Sequence, residues 1–330
     1  MRDIKRRMKL VIDESDMTPY HKAKAKKRLD RLAKRGGQMN LDTKWVYRLV
    51  TAGLMLGDLD WVGYEYRSKL ALDMHTYGWI YPKWDGKPRK CLVMAEQGIG
   101  DEILFASTFN EFLKDCPDAT IECDPRLIPV FERNFDAKFV DRHRFGYAPR
   151  ACDYPKEDYE CFVMMADLLR CYRTDRKPHR KPYIEPLPKA PIHGVGLSWE
   201  GGRSVLEPEW LMKDDVEYVS VQYEKNGREV KGATPPEGVL DPGLDHNDME
   251  AVFSTIGALD KVYTTWNYIV HVCGSIGKEC HAIRPPYTQE NTGIGNNRFK
   301  WNYGIGDVSW PHPWYESVTV WKSYEHFRRG

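Results

Sequence analysis

The spacing of apolar positions changes near residue 90. Before it, Asn40–Leu72 carries Val46, Leu49, Val50, Leu54 and Leu56 at three- and four-residue intervals, followed by WVGYEYRSKLAL, a pattern that predicts helices. From Lys90 onward the pattern becomes an alternation of strands and helices, as in a parallel α/β sheet. Cys91–Ala95 reads as a buried strand, and Gly98 and Gly100 permit a turn that side chains would obstruct. From Asp101 the period becomes helical, with Ile103, Leu104, Phe109, Phe112 and Leu113 on one stripe.

The alternation continues with a strand at Ala119–Cys123, a helix at Pro125–Asn134, a short strand at Ala137–Val140 and a helix over Cys161–Tyr172. RTDRKPHRKPYIEPLPKAP (173–191), rich in proline and charge, marks a domain boundary. A second alternation follows: strands Gly194–Trp199 and Val216–Gln222, helix Asn247–Leu259, strand Lys261–Thr265, helix Tyr268–Ile276 and strand Glu279–Ile283. Two successive βα halves predict two doubly wound sheets facing a cleft, where ligands sit at the C-terminal ends of the strands. The domains expected are a basic arm with a helical segment (1–86), an N-terminal Rossmann-like domain (87–188) and a C-terminal one (189–330). The aromatic tail Trp310–Trp321 is expected to be packed rather than free.

Composition narrows the class. At 330 residues, 42% hydrophobic and 29% charged, the chain has room for two domains with real cores. No apolar run approaches the roughly 18 residues of a membrane span, and MRDIKRRMKLVIDESD lacks the apolar stretch of a secretory signal. The eight cysteines form no CxxC pair, and no His/Cys cluster has zinc spacing, so reduced core cysteines, no metal and a cytoplasmic location are expected. The net charge of +1 hides an asymmetry. Residues 1–37 hold 13 Lys/Arg against 5 Asp/Glu, a local +8, which leaves −7 for the remainder. That arm is either a solvated helix face or a contact for a polyanion such as nucleic acid or an anionic membrane surface.

A strand, a glycine turn and a helix opening on a carboxylate bring backbone N–H groups to the lip of a parallel sheet, a setting for an anion or a reacting group. Asp101 in GIGDEI is therefore the first candidate, with simple helix capping as its alternative.

The order of blocks carries a resemblance. WVGYEYRSKL, YPKWDG, EQGIGDEILFAS, IECDPRLIPVFERNF, VGLSWEGGRS, YVSVQYE, NDMEAVFSTIGALDKV, NYIVHVCGSIGK and PWYESVTVWK run from Trp61 to Lys322. Their succession resembles the glycosyltransferase-like region attached to bacterial tetratricopeptide-repeat proteins, itself distantly similar to heptosyltransferases and O-linked N-acetylglucosamine transferases. The resemblance implies a GT-B architecture of two Rossmann-like domains, preceded here by a short helical repeat remnant. It also implies a metal-independent, inverting transfer of sugar from a nucleotide-sugar co-substrate to an acceptor hydroxyl, with no resident cofactor.

Residue by residue, the resemblance makes Asp101 the candidate general base, with Glu96 and Glu102 next in line. Gly98 and Gly100 belong to the donor-side turn, and Arg203 in EGGRS falls near the donor phosphates. Gln222 lines the nucleotide, and Asn267 and His271 begin the helix that receives the diphosphate. Each has a plain alternative. Asn267 caps a helix, His271 is a core histidine among Val270, Val272 and Ile276, Arg203 is a solvated loop residue, and Gln222 ends a strand. Two departures bear on the donor pocket: Trp266 stands where heptosyltransferases carry aspartate, and Tyr268 where relatives carry small residues. They keep two rivals open, a GT-B-fold binding protein without chemistry and a nucleic-acid-associated structural protein working through the arm.

Overall fold

The computed structural model describes residues 81–142, 158–173, 181–201, 204–213, 216–226, 229–284 and 308–330. The basic arm, the Asn40–Leu72 helices and Arg203 lie outside the described residues. All described residues belong to one compact unit, 73–286 with 306–330.

The first half is a four-stranded parallel sheet in the order β3-β2-β1-β4, built from β1 (Cys91–Met94), β2 (Thr120–Cys123), β3 (Lys138–Asp141) and β4 (Cys161–Met164). Each residue of β1 and β2 is buried, as expected for inner strands covered on both faces. Between the strands run α1 (Ile99–Phe105), α2 (Phe109–Asp115), α3 (Ile128–Asn134) and, after β4, α4 (Asp167–Tyr172). Phe109, Phe131, Phe135 and Phe139 pack ring against ring beneath them, with centroids 5.2–6.5 Å apart.

The expected helix over Cys161–Tyr172 is only half a helix. Its first four residues form β4, with Cys161, Phe162, Val163 and Met164 in register against Cys91, Leu92, Val93 and Met94. Pairing with a strand 70 residues away outweighs local helical preference, because the sheet offers a continuous apolar edge to be covered.

The second half holds β5 (Ile192–Ser198), a small hairpin of β6 (Glu200–Gly201) and β7 (Ser204–Val205), then α5 (Pro208–Leu211) and β8 (Tyr218–Ser220). A second hairpin, β9 (Tyr223–Asn226) with β10 (Glu229–Gly232), precedes β11 (Val239–Leu240) and α6 (Met249–Ala258). β12 (Leu259–Thr265), α7 (Tyr268–Ile276), β13 (Cys280–Ile283), β14 (Ser309–Pro311), β15 (Val318–Trp321) and α8 (Tyr324–Arg329) complete it. The seven-stranded order is β11-β8-β5-β12-β13-β15-β14, parallel throughout except for the β14 edge. The aromatic tail is thus part of the sheet, with Trp314 and Tyr315 buried between its two strands.

This is a mixed α/β fold with Rossmann-like parallel sheets. Strand order reverses between β1 and β4 in the first sheet and between β5 and β12 in the second, the two places where parallel sheets of this kind open a crevice. Among the described residues no helix is long and apolar enough to cross a membrane.

The proline-rich boundary segment is pinned across the second half: Tyr183 N and Ile184 N both donate to Ser275 O, at 2.9 and 3.1 Å. Tyr315 closes over α7 at Gly274, where any Cβ would collide with its ring. Gly274→Ala is therefore expected to destabilise the protein by about 1–3 kcal/mol through overpacking, read as a lower denaturant midpoint at unchanged m. An unchanged midpoint would show that Tyr315 retreats at no cost.

Candidate functional site

The loop after β1 is held from four sides. Glu122 Oε2 accepts from Ala95 N at 3.3 Å, and Glu96 Oε1 accepts from Ala166 N at 3.0 Å, which ties the loop to the ends of β2 and β4. Arg142 Nη1 donates to Gln97 O at 3.0 Å and also pairs closely with Glu102. Gly98 N donates to Asp101 Oδ2 at 3.0 Å, so Asp101 does cap the helix it opens.

The turn's left-handed residue is Gln97, at φ 68°, rather than either glycine. A non-glycine residue there is strained, and the glutamate and arginine contacts are what hold it. Gly100 serves a different purpose, close approach. A Cβ on it would sit 2.9 Å from His271 Cδ2 and 3.0 Å from Tyr268 Cβ, so only glycine lets α1 meet the first turn of α7.

Glu102 is completely buried. Its Oε2 accepts from Asp124 N at 2.6 Å, and burial lifts its carboxyl to about 8 against the pull of Arg142. It lies under the loop rather than on it, which suits a support and not a group that meets solvent.

On the opposite side, the end of β5 is organised by Gln222 and Asn267. Gln222 Oε1 accepts from Ser198 Oγ (3.0 Å), Trp199 N (2.7 Å) and Glu200 N (2.8 Å). Its Nε2 donates to Glu200 O (3.1 Å) and Tyr223 O (2.6 Å). Asn267 Oδ1 caps Ile269 N at 2.9 Å and receives Thr264 Oγ1 at 3.3 Å, while its Nδ2 donates to Ser198 Oγ (2.8 Å) and Glu200 O (3.0 Å). Both amides are thus fully occupied inside the chain. They shape the Trp199–Gly201 turn and the start of α7, and a Cβ on Gly201 would run into Asn267.

Tyr268 is the first residue of α7 and is buried to 8% exposure. Its hydroxyl meets His246 Nδ1 at 2.5 Å, and its ring lies 4.9 Å from that of Tyr223. Burial pushes His246 down to about 4, so the ring is neutral near pH 7. Trp266, at the end of β12, lies under the Arg284 guanidinium, 5.6 Å from ring centroid to Cζ.

His271 is 5% exposed, and its Nδ1 is 2.9 Å from the Tyr315 hydroxyl. Burial pushes it to about 4, with the Asp101 carboxylate opposing that shift from across the α1–α7 contact. Asp101, Gly100, Tyr268 and His271 therefore converge, while Asn267 and Gln222 stand behind them as scaffolding. Sequence reasoning missed His246, Arg142, Tyr183 and Tyr315. Each reaches the site from a distant segment, and an isolated polar residue in a loop gives no periodic signal.

No family model matches this chain, and no solved structure matches it. The chain is similar to Protein FlbA of Caulobacter vibrioides, at 26% identity over 261 residues. The match takes in 66% of this chain and 44% of that protein, so the chain spans less than half the length of this curated relative.

Proposed function

We propose that this chain is a GT-B glycosyltransferase that moves a sugar from a nucleotide-sugar donor to an acceptor hydroxyl without a metal, with inversion. The observation that carries the reading is the seating of Gly100 against Tyr268 and His271, which sets the Asp101 carboxylate beside the first turn of α7. A transfer of this kind needs a proton acceptor on one side and a hold on the leaving diphosphate on the other, in fixed geometry. The loop held by Glu96, Glu122 and Arg142 supplies the first, and the start of the nine-residue α7, with its partial positive charge, supports the second.

In this reading Gln222 and Asn267 act by holding backbone groups in place, and Arg203 adds charge at the phosphates. The basic 1–37 arm draws in a polyanionic acceptor such as modified nucleic acid. The seven cysteines of the described residues, all free thiols, accord with a cytoplasmic setting.

Tyr268 favours a second reading. Seated on His246, it fills space at the start of α7, as it would in a protein that binds a nucleotide without turnover. Incubation of the full chain with a panel of nucleotide sugars and candidate acceptors separates the two. Release of nucleoside diphosphate is the expected result. Saturable binding with no release favours the binding protein, and neither binding nor release overturns both.

A further inference from the structure

Among the described residues Gln97 is the one non-glycine residue with a positive φ, at 68°. It stands just past the C-terminal end of β1, where the strand order of the first sheet reverses between β1 and β4. Glycine takes the left-handed region at no steric cost, and glycines already stand at 98 and 100 in the same turn. A glutamine persists at 97 only where its surroundings over-determine it. Here five consecutive residues are tied down. Met94 O accepts from Met165 N at 2.9 Å, Ala95 N donates to Glu122, and Glu96 Oε1 accepts from Ala166 N. Gln97 O accepts from Arg142 Nη1, and Gly98 N donates to Asp101 Oδ2. The Gln97 side chain adds a brace of its own, Nε2 donating to Glu96 Oε2 at 3.3 Å. The shape of the turn does not call for any of this, since a glycine at 97 would take the same φ without strain. What glycine lacks is the brace on Glu96 and a Cβ that narrows the backbone's range.

We infer that Gln97 is a positioning residue of the transfer: its strained turn fixes the direction of Gly98 N–H, and that N–H seats the Asp101 carboxylate. This rests on the glycosyltransferase reading above, in which Asp101 takes the acceptor proton. A base works only within hydrogen-bond reach of the proton it takes, so a carboxylate free to swing loses rate. The hold on the diphosphate, at the start of α7, is untouched by such a swing. Strain at this place is stability given up for a fixed geometry. The structural alternative is that Gln97 only ties the β1 loop to Glu96 and Arg142 for the sake of the fold.

Gln97→Gly removes the strain and the brace together. Three readouts on the full chain follow: the urea midpoint, solvent exchange of Gly98 N–H, and the kinetics of nucleoside diphosphate release on whichever nucleotide sugar the wild type turns over. The expected result is a midpoint at or above wild type, faster exchange at Gly98, and kcat lowered about tenfold or more with donor affinity unchanged. A tie that serves the fold alone makes the opposite forecast, a lower midpoint and an intact kcat for the folded protein. Wild-type kcat in the variant, or a fall in its midpoint, overturns the assignment. Robust wild-type turnover that Gln97→Gly leaves unchanged overturns the assignment alone, and the glycosyltransferase reading stands. If the wild type turns over no nucleotide sugar, that reading has failed and the positioning role falls with it.

Discussion

Replacing Asp101 by asparagine is expected to lower turnover by about a hundred- to ten-thousandfold, the range typical of positioned acid–base groups. Donor affinity and melting temperature are expected to stay close to wild type. The reason lies in the two jobs of one side chain. Asp101 Oδ2 accepts from Gly98 N at 3.0 Å, and an asparagine oxygen accepts the same bond. What asparagine does not provide is negative charge beside His271. Asp101→Ala removes both, and is expected to cost about 1 kcal/mol of stability in addition. Measuring turnover and melting temperature on both variants separates chemistry from capping. Normal turnover in the asparagine variant would reduce Asp101 to a cap and take the α1 loop out of the reaction.

Acid is expected to destabilise the protein well above the range where its carboxylates titrate, through His246 and His271. Both are held near 4 in the folded chain by burial, against 6.5 when unfolded. A histidine with a depressed folded value takes up a proton on unfolding at any pH between the two. Its contribution is therefore complete above about 6.5 and is lost as pH falls toward 4. At about 1.36 kcal/mol per pK unit, each accounts for about 3 kcal/mol over that window. Glu102 works in the opposite sense: its native form, lifted to about 8, holds a proton that the unfolded chain releases above about 4.5.

Subtracting a variant removes such terms. His246→Gln leaves an oxygen for the Tyr268 hydroxyl but nothing that titrates. The stability advantage of wild type over this variant is expected to shrink by about 1.4 kcal/mol per pH unit between 6.5 and 4, measured by urea unfolding. A difference that stays constant across that window would place His246 outside the acid response.

Most strands and helices of both halves are legible in the sequence because burial leaves a local trace. Cys91–Ala95 is an apolar run, Ala119–Cys123 and Lys261–Thr265 are short stretches between helical ones, and each became a strand of a parallel sheet. Asp101 and Asn267 announced themselves as helix openings; Asp101 caps α1 from within its first turn, and Asn267 caps α7 from the residue before it. The strands at Cys161–Met164, Ser309–Pro311 and Val318–Trp321 were harder to read. The four apolar residues Cys161–Met164 suit a helix or a strand equally, and only pairing with β1, 70 positions earlier, decides between them.

The sequence by itself determined the βα alternation, the asymmetry of charge and the chemical candidates at the strand ends. Tertiary structure alone decided which candidates meet. Gln222 and Asn267 turned inward because the buried backbone of Trp199–Gly201 had donors and acceptors to satisfy, and the nearest amides took them. Gln97 bears the strained conformation of a turn where glycines stand one and three residues later, since Arg142 binds its carbonyl from outside the turn and the neighbouring Glu96 accepts from its side chain. His271 and Asp101 meet across the α1–α7 contact, and Tyr315, 44 positions further along the chain, holds the imidazole through its hydroxyl. Buried polar groups must find partners, and the partner nearest in space is often far along the chain, which no local pattern records.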